Sequence, residues 1–317
     1  MVSIPSSSLD LSVVIVNYKS VDFLGSCIRS IKETAEGISY EIIVVDNDSQ
    51  DGSDRDIRSE FPDIRLIVNR DNLGFSGANN QGIKISKGKN ILLLNNDATV
   101  KPGALSCLMD SMERHPGVGL MGGKLINTDG TVQQSFGKLI PYISEFVQSK
   151  LLWNFYEIHK NRIVGLIMEK LHCQPRMVDW VKGACMMLRR EAIFDVGFLD
   201  DRFFMYFEEA DLCIRLKKIG WKVYFEPGAE IVHHGGISVS KNRFRVFLEH
   251  RRSQLYFYKK HYGEMGLWWI KSYLLLKLNK NKWLSQFKRR KKLTLTVEDK
   301  EQDRLLAETF KLVREFH

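Results

Sequence analysis

Cysteine is sparse and scattered in this 317-residue chain. The five residues Cys27, Cys107, Cys173, Cys185 and Cys213 are odd in number and form no CxxC pair. That argues against a disulfide framework or a thiolate zinc site and favours a reducing compartment. Long hydrophobic runs are missing as well. No basic flank precedes a long apolar stretch at the N-terminus, and Val13–Val16 is only a strand's length, so no signal peptide is expected. The longest apolar segment, Met265–Leu278, is interrupted by Lys271 and Lys277 and is too short and too charged to span a bilayer. Internal repeats and low-complexity tracts are absent. Charged residues at 27% fit an ordinary soluble surface rather than disorder. No GxGxxG follows the first strand candidate, where Asn17-Tyr18-Lys19-Ser20 stands instead. That argues against a nicotinamide-dependent oxidoreductase.

What is present suffices for one large α/β domain with an appendage, or for two modest domains: 44% hydrophobic residues and 11% aromatic. The net charge of +9 is unevenly placed. Between Lys241 and Lys292 sixteen lysines and arginines face only Glu249 and Glu264, so that segment carries +14 and the rest of the chain −5. A field of that sign attracts anionic membrane, nucleic acid or phosphorylated substrates.

From Leu11 to Val100 strands and helices alternate. Leu11–Asn17, Glu41–Asp46, Ile64–Asn69 and Asn90–Asn95 read as short buried strands, with helices over Leu24–Thr34 and Asn79–Ser86. Apolar runs covered on both faces are what a parallel sheet with crossover helices produces. Residues Gly119 to Gly236 mix short strands with helices. Beyond a boundary near Ser240 the pattern becomes helical, including a helix start at Thr296 and a stripe of Leu305, Leu306, Phe310, Val313 and Phe316.

In open parallel sheets ligands gather at the carboxyl ends of the strands, so the polar residues there are the candidate site. The second strand ends in Asp46-Asn47-Asp48-Ser49-Gln50-Asp51-Gly52-Ser53. Its first carboxylate can accept hydrogen bonds from a base or ribose, although the same residue types make ordinary turns. Small residues in Asn72-Leu73-Gly74-Phe75-Ser76-Gly77 let backbone approach a phosphate or ribose, or simply begin a helix tightly. The fourth strand ends in Asn95-Asn96-Asp97, where a carboxylate can hold Mg²⁺ or Mn²⁺ on substrate phosphates. Glu208, Glu209 and Asp211 lie within four residues, beside Phe203, Phe204, Tyr206 and Phe207. That setting suits a base of raised pKa, or an acidic helix start. His233-His234-Gly235-Gly236 follows a strand-like Ala229–Val232 and offers a metal or phosphate ligand, though a lone histidine is commonly structural.

In this order the segments resemble the family 2 glycosyltransferases, of the rhamnosyltransferase type that assembles bacterial surface polysaccharide. The carriers are VVIVNYKSVDFL from Val13, DNDSQDGS from Asp46, NRDNLGFSGANNQGI from Asn69, LLLNNDA from Leu92, WVKGACMMLRREAI from Trp180, VGFLDDRFFMYFEEADLCIRLKKIGW from Val196 and HHGGIS from His233. The resemblance spans about Leu11 to Tyr262. It implies a GT-A fold over residues 1–240, with a nucleotide-binding half at about 11–100 and an acceptor half at about 101–240. A basic helical region follows over 241–317. It further implies that Asp46 meets the donor base, and that Asn17, Asn72, Gly74, Asn79 and Asn96 line the nucleotide pocket. Asp97 and His233 would hold a divalent cation, Mg²⁺ or Mn²⁺. Glu209 would be the general base, where an aspartate is common. Glu208, Asp211 and Arg215 would support its helix, and Trp180, Gly183 and Asp200 would lie on the acceptor side. Asn95 stands where the family often carries aspartate.

The expected activity is inverting transfer of a sugar, L-rhamnose from dTDP-rhamnose, to a polysaccharide or lipid-linked glycan precursor. Galactose, glucose or an amino sugar on UDP fits the same framework, as does a non-catalytic homologue that binds nucleotide sugar. Met265–Lys292 combines tryptophans and leucines with a cationic run ending KRRKK, the makings of an interfacial anchor on anionic lipid or of a solvated packed helix. A cytoplasmic enzyme at the inner face of the membrane is the expected location. Nucleic-acid binding by the basic tail is the rival class. The carboxylate clusters would repel a phosphate backbone, and no reader motif is present.

Overall fold

A computed structural model of the chain describes residues 9–139, 162–235, 243–289 and 297–317. The expected features at Gly236–Ser240, at Thr296 and in the basic run beyond Arg289 lie outside the described residues. Two compact units divide the chain: residues 1–201 with 208–238, and residues 202–207 with 239–317.

The first unit is built on a nine-stranded sheet whose main path runs β3-β2-β1-β4-β10-β6-β11-β5. The strands are β1 Leu9–Asn17, β2 Tyr40–Asp46, β3 Arg65–Val68, β4 Gly88–Asn95, β5 Ala98–Val100, β6 Val118–Ile126, β7 Phe136–Gly137, β8 Arg176–Met177, β9 Trp180–Val181, β10 Cys185–Arg189 and β11 Lys222–His233. β7 and β9 pair separately. The half β3-β2-β1-β4 is wholly parallel, and β10 joins it antiparallel to β4 and β6. Helices Val21–Thr34 (α1), Ser53–Glu60 (α2), Gly74–Ile85 (α3) and Ala104–Arg114 (α4) connect the early strands.

The strands read as continuous apolar runs because both faces are covered. Val13, Ile15, Val44, Leu92 and Leu94 pack on one side with Leu24, Ile28, Ile31, Leu105 and Leu108. Val14, Ile43, Ile91 and Leu93 face the other with Ile83, Ile193, Leu212 and Leu216. The two-residue alternation of strand side chains produces this split, and each fully buried side chain contributes about 1.5–3 kcal/mol. Gly82 lets α3 lie tightly on β1: a Cβ there would stand 2.3 Å from a Val14 methyl.

α3 begins at Gly74, five residues before the Asn79 start read from sequence. The Asn72 side chain accepts the Gly74 N–H at 2.9 Å and satisfies a donor that the first helical turn would otherwise leave orphaned. The second unit is helical, over Arg243–Arg289 and Val297–Glu315. Gly263, at φ 66° and ψ −160°, interrupts the first stretch, a conformation glycine adopts without a side-chain penalty. Leu255, Phe257, Leu267, Ile270, Leu274 and Val313 form its interior. Lys271 ties the two helices by donating to the carbonyls of Arg314 and Phe316 at 3.1 and 3.0 Å. Among the described residues no helix is long and apolar enough to cross a membrane.

Candidate active site

The parallel register brings the strand ends together, pairing Asn17 with Asp46 and Val16 with Asn95. Asn17 is buried and its amide N–H groups are shared among Asp46, Ser49 and Ser53 at 3.0, 3.0 and 2.8 Å. Its carbonyl accepts from Asn96 at 2.9 Å. Asp46 thus stands inside a closed polar latch, also accepting the Ser49 N–H at 3.2 Å. Asn47 reaches the glycine-rich segment, donating to Asn72 at 2.9 Å and to the Gly74 carbonyl at 3.1 Å while accepting the Leu73 N–H at 3.0 Å. Asn79 is buried and donates to the Phe75 carbonyl at 2.9 Å. The asparagines therefore fix one strand-end loop against the next.

β5, only three residues long, pairs antiparallel with β11 and sets Ala98 opposite His233. That pairing places the His233 ring beside the preceding residue: Nε2 lies 3.4 Å from Asp97 Oδ1 and 3.2 Å from Asn95 Nδ2. Asp97 also accepts the Gly235 N–H at 3.1 Å. Burial disfavours ionisation of Asp97, but hydrogen bonding and charge from His233 when its ring is protonated, with the Gly235 N–H, outweigh it and hold the carboxyl below the usual aspartate range. Among the described residues no group of three or more His, Cys, Asp or Glu forms a ready cation cage. A pair of one carboxylate and one imidazole suits an ion that takes its other ligands from substrate phosphates and water.

Helix Glu208–Lys218 (α7, following α5 Arg162–Leu171 and α6 Arg190–Val196) carries the acidic cluster at its first turn. Tyr206 and Phe207, just before it, both stand at φ 69°. Such strain in bulky residues costs of order 1–3 kcal/mol each and gathers at functional sites. Burial is the main cause that lifts the Glu208 carboxyl well above the ordinary glutamate range, and the charge of Glu209 adds to it. Burial also raises Glu209, against the Glu208 hydrogen bond and the Lys182 charge. Each carboxyl thus favours its protonated form more than a free glutamate does, Glu208 the more strongly. One buried oxygen, Oε2, of each residue has no hydrogen-bond partner among the described residues. A buried acceptor left open in this way is available to an incoming hydroxyl.

Asp211 is fully buried and forms a 2.7 Å ion pair with Arg215, which also donates to the Val196 and Phe198 carbonyls at 2.9 and 2.7 Å. Removing Arg215 alone would take the ion pair from a buried carboxylate, at a cost of about 3–5 kcal/mol. Asn80 pins the same loop through both Leu199 backbone groups, at 2.8 and 3.0 Å, immediately before Asp200. A Cβ on Gly183 would lie 3.8 Å from the Phe75 ring and 3.9 Å from Glu208 Oε1, so Gly183 separates the glutamates from α3. Trp180 packs over Gly137, where a Cβ would meet the indole at 2.6 Å.

Two residues here were not singled out from sequence. Lys182, half-buried, has an amine drawn below the ordinary lysine range by burial, while Glu209 and Asp97 pull it upward. It therefore senses both carboxylates. Gln133, in the turn after β6, meets His233 Nδ1 at 2.9 Å.

The family model for glycosyl transferase family 2 matches residues 12–194. The chain belongs to that family and is a glycosyltransferase. It is 28% identical over 271 residues to N-acetylglucosaminyl-diphospho-decaprenol L-rhamnosyltransferase of Mycobacterium tuberculosis, covering 82% of this chain and 86% of the relative. Over 251 residues it is 26% identical to the low-salt glycan biosynthesis hexosyltransferase Agl10 of Haloferax volcanii, covering 76% and 73%. Among solved structures, GalNAc-T7 with UDP, GalNAc and Mn²⁺ superposes with a TM-score of 0.53 at 16% identity, over 80% of this chain and 51% of that one. The chain spans about half of that protein's length, and the likeness is one of fold, the GT-A type.

Proposed function

We propose that this glycosyltransferase inverts the anomeric carbon as it moves a sugar from a nucleotide-sugar donor to a hydroxyl of a surface polysaccharide or lipid-linked glycan precursor. L-Rhamnose from dTDP-rhamnose is the proposed donor. The observation that carries the reading is that Lys182 feels the charge of both Glu209 and Asp97. A candidate base and a candidate cation ligand thus both lie within electrostatic reach of one lysine. The Mycobacterium tuberculosis relative, by its name, joins rhamnose to a lipid diphosphate sugar.

In this reading Asp46 receives the base and Asn17, Asn72, Gly74, Asn79 and Asn96 shape the nucleotide pocket. Glu209 accepts the acceptor's hydroxyl proton while that oxygen bonds to the anomeric carbon and the bond to the diphosphate breaks. Glu208, protonated, orients the Glu209 carboxylate, and Asp211 with Arg215 holds the helix that presents both. Asp97 and His233 would hold Mg²⁺ or Mn²⁺, which when bound offsets charge on the departing diphosphate. Trp180, Gly183 and Asp200 face the acceptor.

A panel of dTDP-, UDP- and GDP-sugars with Mn²⁺, Mg²⁺ or EDTA tests the proposal by nucleotide release. Cation-dependent release from dTDP-rhamnose is expected. Release from a UDP-hexose instead would reassign the donor, and binding with no release on addition of any acceptor glycan would leave a nucleotide-sugar-binding homologue.

The same proposal places the enzyme at the inner face of an anionic membrane. Met265, Trp268, Leu276 and Trp283 lie on one stripe at helical spacing and are exposed, the tryptophans by 71% and 63%. Lys277, Lys280 and Lys282 accompany them in the same stretch of helix. Apolar area beside cations is what an anionic bilayer interface binds. Trp268→Glu with Trp283→Glu should abolish co-sedimentation with phosphatidylglycerol vesicles and leave donor hydrolysis unchanged. Equal sedimentation of the double variant would dismiss the membrane contact.

A further inference from the structure

The Gln133 side chain is held at both ends. Its amide nitrogen donates to the His233 carbonyl at 2.6 Å and to Asn127 Oδ1 at 2.7 Å. A backbone carbonyl can only accept, so the amide orientation is set: Nε2 faces the carbonyl and Oε1 faces the His233 ring. The Gln133 backbone N–H is fixed in turn on the Leu125 carbonyl at 2.8 Å, at the end of β6, which runs parallel to β11 with Ile126 opposite Val232.

Oε1 has no proton to give, and it lies 2.9 Å from His233 Nδ1. Nδ1 must therefore carry the hydrogen. Lys182 Nζ, at 3.4 Å, approaches the same oxygen as a second donor. In the neutral ring the electron pair is then on Nε2, the nitrogen 3.4 Å from Asp97 Oδ1. Asn95 agrees with this assignment, because its amide nitrogen lies 3.2 Å from Nε2 and can donate to that pair. An aspartate at position 95 could not. Asparagine at this position thus matches the tautomer that Gln133 imposes.

We propose that Gln133 is a positioning residue that locks His233 in the Nδ1–H tautomer, so that a bare Nε2 and the Asp97 carboxylate converge on one point. The inference deepens the cation site proposed above and rests on that reading for its purpose, though not for its test. Partners of this kind on the far nitrogen of a ligating histidine typically change metal affinity about 10–100-fold.

The experiment uses the ¹⁵N-labelled full chain, cation-free, at a pH well above the ordinary histidine range. Long-range ¹H–¹⁵N spectra, with His233→Ala to assign the ring, report the tautomer directly. The expected wild-type signature is a protonated Nδ1 and an unprotonated Nε2. Gln133→Met should shift His233 toward Nε2–H, facing Asp97, and weaken Mn²⁺ binding, read by electron paramagnetic resonance with dTDP and separately with UDP, by about 10–100-fold. Gln133→Glu keeps an acceptor facing Nδ1 and should restore the tautomer, although it loses the amide's donation to the His233 carbonyl and Asn127 Oδ1. A wild-type ring protonated on Nε2, or a folded Gln133→Met with unchanged tautomer and affinity, would overturn the proposal. If the tautomer responds as expected while His233→Ala binds Mn²⁺ like the wild type, the role of Gln133 stands and the histidine's part in cation binding falls.

Discussion

Glu209→Gln is expected to lower turnover by about 10²–10⁴-fold, the contribution of a positioned base, equivalent to about 3–5 kcal/mol of barrier. Donor affinity should stay close to wild type, because Asn17, Asp46 and Asn72, the residues proposed to hold the donor, are fastened by contacts that do not involve Glu209. The fold should survive too. Among the described residues Glu209 Oε2 has no hydrogen bond to lose, and a neutral amide relieves the burial that raises this carboxyl. The same shift fixes the pH dependence. Activity needs the ionised base, so it should rise with pH as the Glu208–Glu209 pair loses its first proton, with a midpoint above the ordinary glutamate range. Turnover by Glu209→Gln above about a tenth of wild type would remove Glu209 from the role of base.

Asp97→Asn is expected to act on the leaving group instead. It preserves shape next to His233 and Gly235 but deletes the charge that would hold a cation. Loss of such a stabiliser typically costs about 10²–10³ in kcat, and the Mn²⁺ concentration for half-maximal activity should rise sharply. Two structural contacts remain to support the loop, the His234 N–H on the Asp97 carbonyl at 3.0 Å and the β5–β11 pairing. An unchanged Mn²⁺ response in the folded variant would show that Asp97 is not the cation ligand.

The parallel half of the sheet was legible because LSVVIVN, EIIVVD and NILLLN are buried on both faces and therefore unbroken by polar residues. Each run stops at an asparagine or aspartate, and those end points mark the site. Edges were less legible. β3 is shorter than its apolar pattern and largely half-buried, while glycines in α3 masked a helix whose first N–H is taken up by the Asn72 side chain. The pairing of Asp97 with His233 spans 136 residues and depends on a three-residue strand, β5, that leaves no periodicity to read. Gln133 sits next to an Asn127–Thr131 turn of ordinary surface composition, and only the sheet register places it against a histidine 100 residues away. Lys182 was inside a recognised motif, but its electrostatic coupling to Glu209 and Asp97 is a property of the fold.

The anomeric configuration of the first sugar released or transferred tests the central claim most directly. With a donor of known configuration, proton NMR in the first turnovers should show the inverted anomer, as a single displacement assisted by Glu209 requires. A first-formed product that retains the donor's configuration would contradict the account, because it demands a second displacement or a front-face attack that leaves Glu209 without its assigned proton.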